Sequence, residues 1–597
     1  MQTSSKVQRL LLATTVAAAV AATCLLQPAP SAASDALESI DRPTVATQRF
    51  DGPVQAPAAI EQNDIHIVLA RDLETARGAV LQAGGTIVRE LGIVNAVGAH
   101  LPADALRQLQ RRGDVRTIAN LRMTTAASKQ STRLATSTTS TSTSTTTTAT
   151  ANPVPAKPRQ FAHSDLVEAP QAHAAGVDGR GVTVAVLDTG FTKVAGLDRT
   201  NANNNRVLAE FDAIQNEEGW VEDGYGHGSH VTGIIMDSTK AADGSRAGIA
   251  PNARLVAVKA FGDDGSATYL DVLTGMNWLL ENREKYDIRV LNLSFSATPS
   301  SHYWEDPVNQ AVMKLWQAGI VVVAAAGNDG PVAMTVGVPG NTPYVITVGA
   351  VTDNYTLDAS DDRLASFSSA GPTYEGFVKP DVVAPGGHVV GLMKRSWARI
   401  AAEHPEFQVN DNYFAMSGTS QATAVVSGVV ALMLQAKPWL TPDDVKCQLM
   451  ASANAAVDGS GQLAFAIFQQ GAGLVNAHRA VASTVEACAN RGLDVAADLA
   501  GTAHFGGYAQ QDADGAYYLM GIDGFLWSRT ELLSSGFLWS RSTNDSASLW
   551  SSASEYTDGF LWSRSLPFAD VSTTDSTDAA GFLWSRTTGV NRWVAQE

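Results

Sequence analysis

Five near-continuous runs of apolar, mostly β-branched residues limit most strongly how this chain can fold. They are residues 182–187, 255–258, 290–293, 320–326 and 345–348. A strand with one wet face alternates apolar and polar side chains; these runs do not alternate. They are therefore expected to be covered on both faces, as in a parallel sheet with helices on either side. Segments of helical periodicity lie between them, so residues 165–485 read as one large α/β domain.

The 597 residues are too many for a single compact core. Upstream, residues 63–120 alternate strand-like and helical patterns. The order is β-α-β-β-α-β, with glycines at 84, 85 and 113 closing the two helices. That order predicts a small ferredoxin-like α+β module. Residues 124–150 are almost all Thr, Ser and Ala, and 153–158 turn Pro-rich. Too little apolar surface is present there to offset ordering entropy, so 121–160 is expected to be a linker open to proteolysis.

At the start, Lys6 and Arg9 precede an apolar stretch at 10–26, with small residues at 31–33. This pattern predicts an export signal over 1–33. The stretch is short and only mildly apolar for a stable membrane span. Of the three cysteines, Cys24 falls within that signal, leaving Cys447 and Cys488 with the option of a disulfide. The net charge of −17 leaves no basic face for phosphates, so no nucleic-acid partner is expected. From 489 to 597 the chain changes character. GFLWSR occurs four times, beginning at Gly524, Gly536, Gly559 and Gly581, and the part after Gly521 holds six of the twelve tryptophans. This tail contains no histidine after Gly521 and is expected to carry no catalytic group.

Four residues point to chemistry. Asp188 ends the first apolar run, where parallel sheets place their sites. His227 is flanked by glycines in DGYGHGSH; pairing with His230 on a metal is the rival reading, but no third ligand stands out. Ser420 follows a Gly-Thr turn and opens an apolar helical segment, where the helix dipole is positive. A serine hydroxyl needs an adjacent base, and an imidazole is the usual one. Asn328 leaves another buried run and can donate its side-chain amide to a developing oxyanion. Each residue alone has a structural explanation, as a turn or helix cap.

The chain order Asp, His, Ser separates this set from the chymotrypsin and α/β-hydrolase orders. With VAVLDTG, GHGSHVTG, LNLSFS, AAAGND, VAPGG and SGTSQATA in sequence, the region 161–488 resembles the subtilase family of serine peptidases. The resemblance implies a doubly wound α/β/α sandwich with a mostly parallel sheet. It also implies a triad of Asp188, His227 and Ser420, with Asn328 in the oxyanion hole. Peptide would bind along 265–269 on one side and Ser294, Phe295 and Ser296 on the other. Residues 325–327, including Gly327, and Gly337 would form the wall and floor of the specificity pocket. The 63–120 module resembles the family's inhibitory propeptide. The expected protein is thus a secreted, monomeric endopeptidase, extracellular or retained at the cell surface, acting on proteins and peptides and inhibited by its own propeptide. No cofactor is required by this chemistry. The family often carries structural calcium, and Asp353, Asp358, Asp361 and Asp362 cluster about one loop; they are read first as a solvated turn.

Overall fold

The computed structural model describes residues 65–120 and 160–519, apart from short gaps at 202, 354, 358–360, 457–462, 512–514 and 516, together with 566–567 and 588–590. The expected export signal, nearly all of the linker and the four GFLWSR copies lie outside the described residues.

The first module has the anticipated element order. Strands β1 (Ile65–Ala70), β2 (Thr86–Leu91), β3 (Ala96–His100) and β4 (Val115–Ala119) form an antiparallel sheet in the order β2-β3-β1-β4. Helices α1 (Leu73–Gln82) and α2 (Ala103–Gln110) connect them. Alternation along β1 explains how the module sits. Val68 packs with Ala76, Val80 and Leu109 of the module's own helices. Ile67 and Leu69, facing the other way, join the core of the large domain. A four-stranded sheet with two apolar faces needs a partner on the second one, and the large domain supplies it.

In the large domain, strand β5 (Thr183–Asp188) is flanked by β6 (Val207–Asp212) and β7 (Arg254–Lys259) on one side. On the other side run β8 (Ile288–Leu293), β9 (Val321–Ala325), β10 (Ile346–Thr352) and β11 (Val382–Pro385). All seven are parallel, in the order β6-β7-β5-β8-β9-β10-β11. From β5 the chain crosses to the outer strand β6, returns to β7 beside β5, and then builds outward on the other side from β8 to β11, so the direction reverses between β5 and β8, and ligand sites form at such switch points.

Helices α3 (His227–Met236) and α6 (Thr419–Ala436) pack together on one face. Helices α4 (Tyr269–Asn282) and α5 (Pro307–Gln317) cover the other. The β-branched runs are fully enclosed, as their lack of alternation demanded. Helix α6 is long and apolar enough to cross a membrane, but 89% of it is buried within the fold. Its apolarity is that of a core helix.

The module docks on α4 and α5. Asn277 of α4 accepts a hydrogen bond from the Ile93 amide at 3.0 Å, and Asn120 accepts from the Leu270 amide at 3.1 Å. Arg116 donates to the Glu305 carbonyl. Asn120 thereby takes up one of the N–H groups at the start of α4, next to the short strand Ser266–Ala267.

The compact body does not end at 488, where the composition change suggested a boundary. Cys447 and Cys488 form a disulfide, with Cα atoms 5.1 Å apart. Beyond it, buried Asp498 accepts from Tyr303 Oη (2.5 Å), Tyr344 Oη (3.0 Å) and His504 Nδ1 (2.7 Å). Phe505 and Leu519 are also buried. The fold takes in the chain to Leu519 because Asp498 satisfies the Tyr303 and Tyr344 hydroxyls and Phe505 and Leu519 join the core.

Candidate active site

Asp188, the last residue of β5, turns its carboxylate into the space between sheet and helices. Its Oδ1 accepts from the Thr189 amide at 2.8 Å and lies 2.7 Å from His227 Nδ1. A carboxylate only accepts, so Nδ1 carries the hydrogen and Nε2 keeps its lone pair. That Nε2 is buried and holds no hydrogen bond among the described residues.

His227 opens α3, after Gly226 in a left-handed conformation (φ 103°). Gly228 follows where a Cβ would collide with the Gly190 carbonyl. The helix can start only because no side chain intervenes, and this brings its first turn against the end of β5. The buried carboxylate of Asp223 fixes the turn. Its Oδ1 accepts from Gly226 N (2.7 Å) and Thr189 Oγ1 (2.8 Å), and its Oδ2 accepts from Ser229 N (2.7 Å). Thr189 Oγ1 in turn accepts from Gly228 N at 2.8 Å. Asp223 and Thr189 thus lock the Asp188 and His227 backbones together. Sequence reasoning passed over both, although Asp223 stands four residues before His227 as an N-terminal capping carboxylate would.

Ser420 lies in the first turn of α6. Its hydroxyl donates to the Ser294 carbonyl at 2.9 Å, while Ser294 Oγ donates to the Ser420 carbonyl at 3.0 Å. Behind this pair, Asn292 donates to Ser294 Oγ and accepts from Ser427, each at 2.9 Å. The nucleophile candidate is therefore pinned to the strand end of β8. Asn328 Oδ1 accepts from Thr419 N (3.0 Å) and Thr419 Oγ1 (2.9 Å). The Thr419 N–H can only donate, which fixes the amide orientation and turns Nδ2 toward Gly418, beside Ser420.

The pocket residues also come together. Gly337 N donates to Ala326 O at 3.0 Å, and the next residue pairs with Ala297. This ties the 325–327 segment, Gly337 and the Ser294–Ser296 edge into one enclosure. A Cβ at Gly327 would lie 2.8 Å from Ser296 Oγ, and one at Gly337 would overlap it. The Ser296 hydroxyl thus stands between wall and floor. The opposite edge is shorter than expected: only Ser266–Ala267 is strand, and Tyr269 already belongs to α4.

His230 is not turned toward His227 as a second ligand. Its Nε2 donates to Phe414 O at 3.0 Å, and Nδ1 faces the Gln421 amide at 3.5 Å. Burial holds its pKa down to about 3, and that of buried His163, bonded to Ala247 O, down to about 4. The loop carboxylates do not make a solvated turn. Asp353 is buried against His388 and accepts from Tyr355 N, and Asp362 is fully buried. Asp361 accepts from Thr356 Oγ1 at 2.9 Å, and Asp358 lies outside the described residues. Among the described residues no group of three or more His, Cys, Asp or Glu is arranged to hold a metal ion.

With this geometry in view, the comparisons with known proteins are specific. Residues 179–473 match the family model described as the subtilase family. The chain is 39% identical over 308 residues to serine protease AprX of Bacillus subtilis, a match spanning 51% of this chain and 66% of that protein. It is 31% identical over 319 residues to subtilisin DY of Bacillus licheniformis, spanning 53% of this chain and 96% of that one. The fold is similar to that of fervidolysin from Fervidobacterium pennivorans, described as a keratinolytic enzyme related to subtilisin, with a TM-score of 0.52 at 20% identity. That likeness covers 73% of this chain and 63% of the other.

Proposed function

Because the chain belongs to the subtilase family of serine peptidases, we propose that it is a secreted endopeptidase, made as a self-processing zymogen, that cleaves proteins through an acyl-enzyme. The observation that carries this reading is the buried 2.7 Å bond between Asp188 and His227 Nδ1, which leaves Nε2 as the basic nitrogen.

For reaction, the Ser420 hydroxyl turns from the Ser294 carbonyl toward His227 Nε2. Its oxygen attacks the substrate carbonyl carbon and its proton passes to Nε2. Asp188 stabilises the imidazolium and keeps the tautomer. The oxyanion that forms receives a hydrogen bond from Asn328 Nδ2. His227 then gives the proton to the leaving amine, and water repeats the sequence on the acyl-enzyme. Ser294, Phe295 and Ser296 bind the substrate main chain, while Gly327 and Gly337 leave room for one side chain.

The module at 65–120 acts as the propeptide. It covers α4 and α5, and its last described residue, Asn120, bonds the start of α4 beside the strand Ser266–Ala267. Supplied as a separate chain, it is expected to inhibit the mature enzyme.

The test is Ser420→Ala beside wild type. The wild type is expected to react with a serine-directed fluorophosphonate, clear casein and lose residues before about 160. The variant should do none of these when no other protease is present. Normal casein turnover by the purified variant would overturn the assignment.

A further inference from the structure

The groove already contains a peptide strand, and it comes from the chain's own C-terminal region. Thr588–Val590 lies between the two groove edges as the middle strand of a three-stranded antiparallel sheet. On one side Val590 is opposite Phe295 and Gly589 opposite Ser296. On the other, Thr588 is opposite Ala267 and Gly589 opposite Ser266. The two edges belong to this sheet only through the third strand. We propose that the C-terminal segment is an intramolecular ligand of the peptide groove, holding the full-length enzyme in check until the segment leaves.

This rests on the reading of the groove as the substrate site, and three observations support it. The strand has the polarity and the two-sided pairing that an extended peptide adopts when it binds by strand addition. Most of both edges is closed from solvent: Phe295 is fully buried, Ser266 and Ala267 are each 2% exposed, and Ser296 is half-buried. Asp188, His227, Asn328 and Ser420 are likewise between 0% and 3% exposed with the segment in place.

The register also has a direction. Each step along the segment moves one residue back along the facing edge, so the segment runs from Ala267 toward Ser294. The Ser294 carbonyl is the one that accepts the Ser420 hydroxyl. A segment so directed presents its main chain to the nucleophile as a substrate would. Between Leu519 and Thr588, Leu566–Pro567 pairs with Gly506 and Phe505 of the body. From there the sequence allows a tether of 20 residues, 568–587, enough chain to span about 65 Å when extended. The repeat tail, expected from sequence to carry no catalytic group, thus becomes the carrier of a cis-acting competitor.

Binding can be tested without turnover. A fluorescent synthetic peptide of residues 586–597 is titrated into Ser420→Ala chains that end at Thr587 or are full length. The shortened chain is expected to bind it at least about tenfold more tightly, because the tethered segment competes at high effective concentration. Gly589→Pro in the full-length chain removes an N–H from the central strand position and is expected to behave like the shortened chain. Equal affinity for all three chains, or no binding to the shortened one, overturns the proposal. Fluorophosphonate labelling of the same chains carrying Ser420 reports separately on the peptidase reading. Peptide binding without labelling would sink that reading alone; labelling at equal rates with no peptide binding would sink this one alone.

Discussion

Acid should destabilise this protein through two histidines that the fold keeps neutral. His163 and His230 are enclosed, each bonded to a backbone carbonyl. Burial lowers their pKa values to about 4 and about 3. In the unfolded chain both should titrate near ~6.5. The folded state therefore binds fewer protons than the unfolded state between these values, so stability falls as pH falls through that window. From pH 6.5 to pH 5 each histidine should cost about 1.6 kcal/mol, the slope rising to about 1.4 kcal/mol per unit of pH as the unfolded imidazole becomes fully protonated, and the pair about 3 kcal/mol. His173, whose pKa burial also lowers, adds in the same direction. The assay is equilibrium urea unfolding of the Ser420→Ala chain, which cannot digest itself, at several pH values from 5 to 7.5. His230→Gln and His163→Gln keep a neutral amide donor and will be less stable at pH 7.5. Each should flatten the pH slope below 6.5 by up to about 1.4 kcal/mol per unit. Slopes unchanged from the parent would mean that neither imidazole is held neutral, and the reasoning would fail.

Other consequences follow from the same geometry. Asn328→Ala should lower kcat by roughly 10²–10³ while leaving KM nearly unchanged, as measured with a chromogenic peptide; a comparable rise in KM would mean that the amide serves ground-state binding instead. Ser296→Gly removes the hydroxyl between the pocket wall and floor, and kcat/KM for a bulky aromatic residue relative to alanine should rise about tenfold. Asp223→Ala takes away three hydrogen bonds at the start of α3 and should cost about 2 kcal/mol or more in unfolding experiments. A chain ending at Gly506 loses the strand pair Ala509–Gln511 and Tyr517–Leu519 and should melt below one ending at residue 520; equal melting would place that hairpin outside the stable body.

What could be read from the sequence was local. Strands β5, β7, β8, β9 and β10 announced themselves because burial on both faces leaves no polar position in most of each run. Strand β6 did not. Near the sheet edge, bordered only by the two-residue strand Glu217–Glu218, its residues are mostly half-buried and include Glu210, so VLAEFD carries neither a clear alternation nor an unbroken apolar run. The motif residues were legible because glycine, serine and histidine at those spacings are rare. The groups that hold them were not, because their partners are remote. Thr189 meets Asp223 across 34 residues, and Ser420 meets Ser294 across 126. No periodicity encodes such pairings.

The same limit explains both surprises at the C-terminal end. Asp498 sits in a short polar stretch that composition assigns to a tail, yet two tyrosines and a histidine from the body and its extension converge on its carboxylate. Thr588–Val590 is an uncharged tripeptide with no motif at all. What recruits it is the groove. Two facing strand edges accept an extended backbone of almost any sequence, because N–H and C=O positions do not depend on side chains. A peptidase that must bind many substrates therefore cannot, by main-chain pairing alone, refuse its own tail. Discrimination has to come from tether length, from the pocket that Ser296 narrows, or from cleavage that removes the segment. Of these, the tether is the one that the chain can lengthen or shorten without altering the site that does the chemistry.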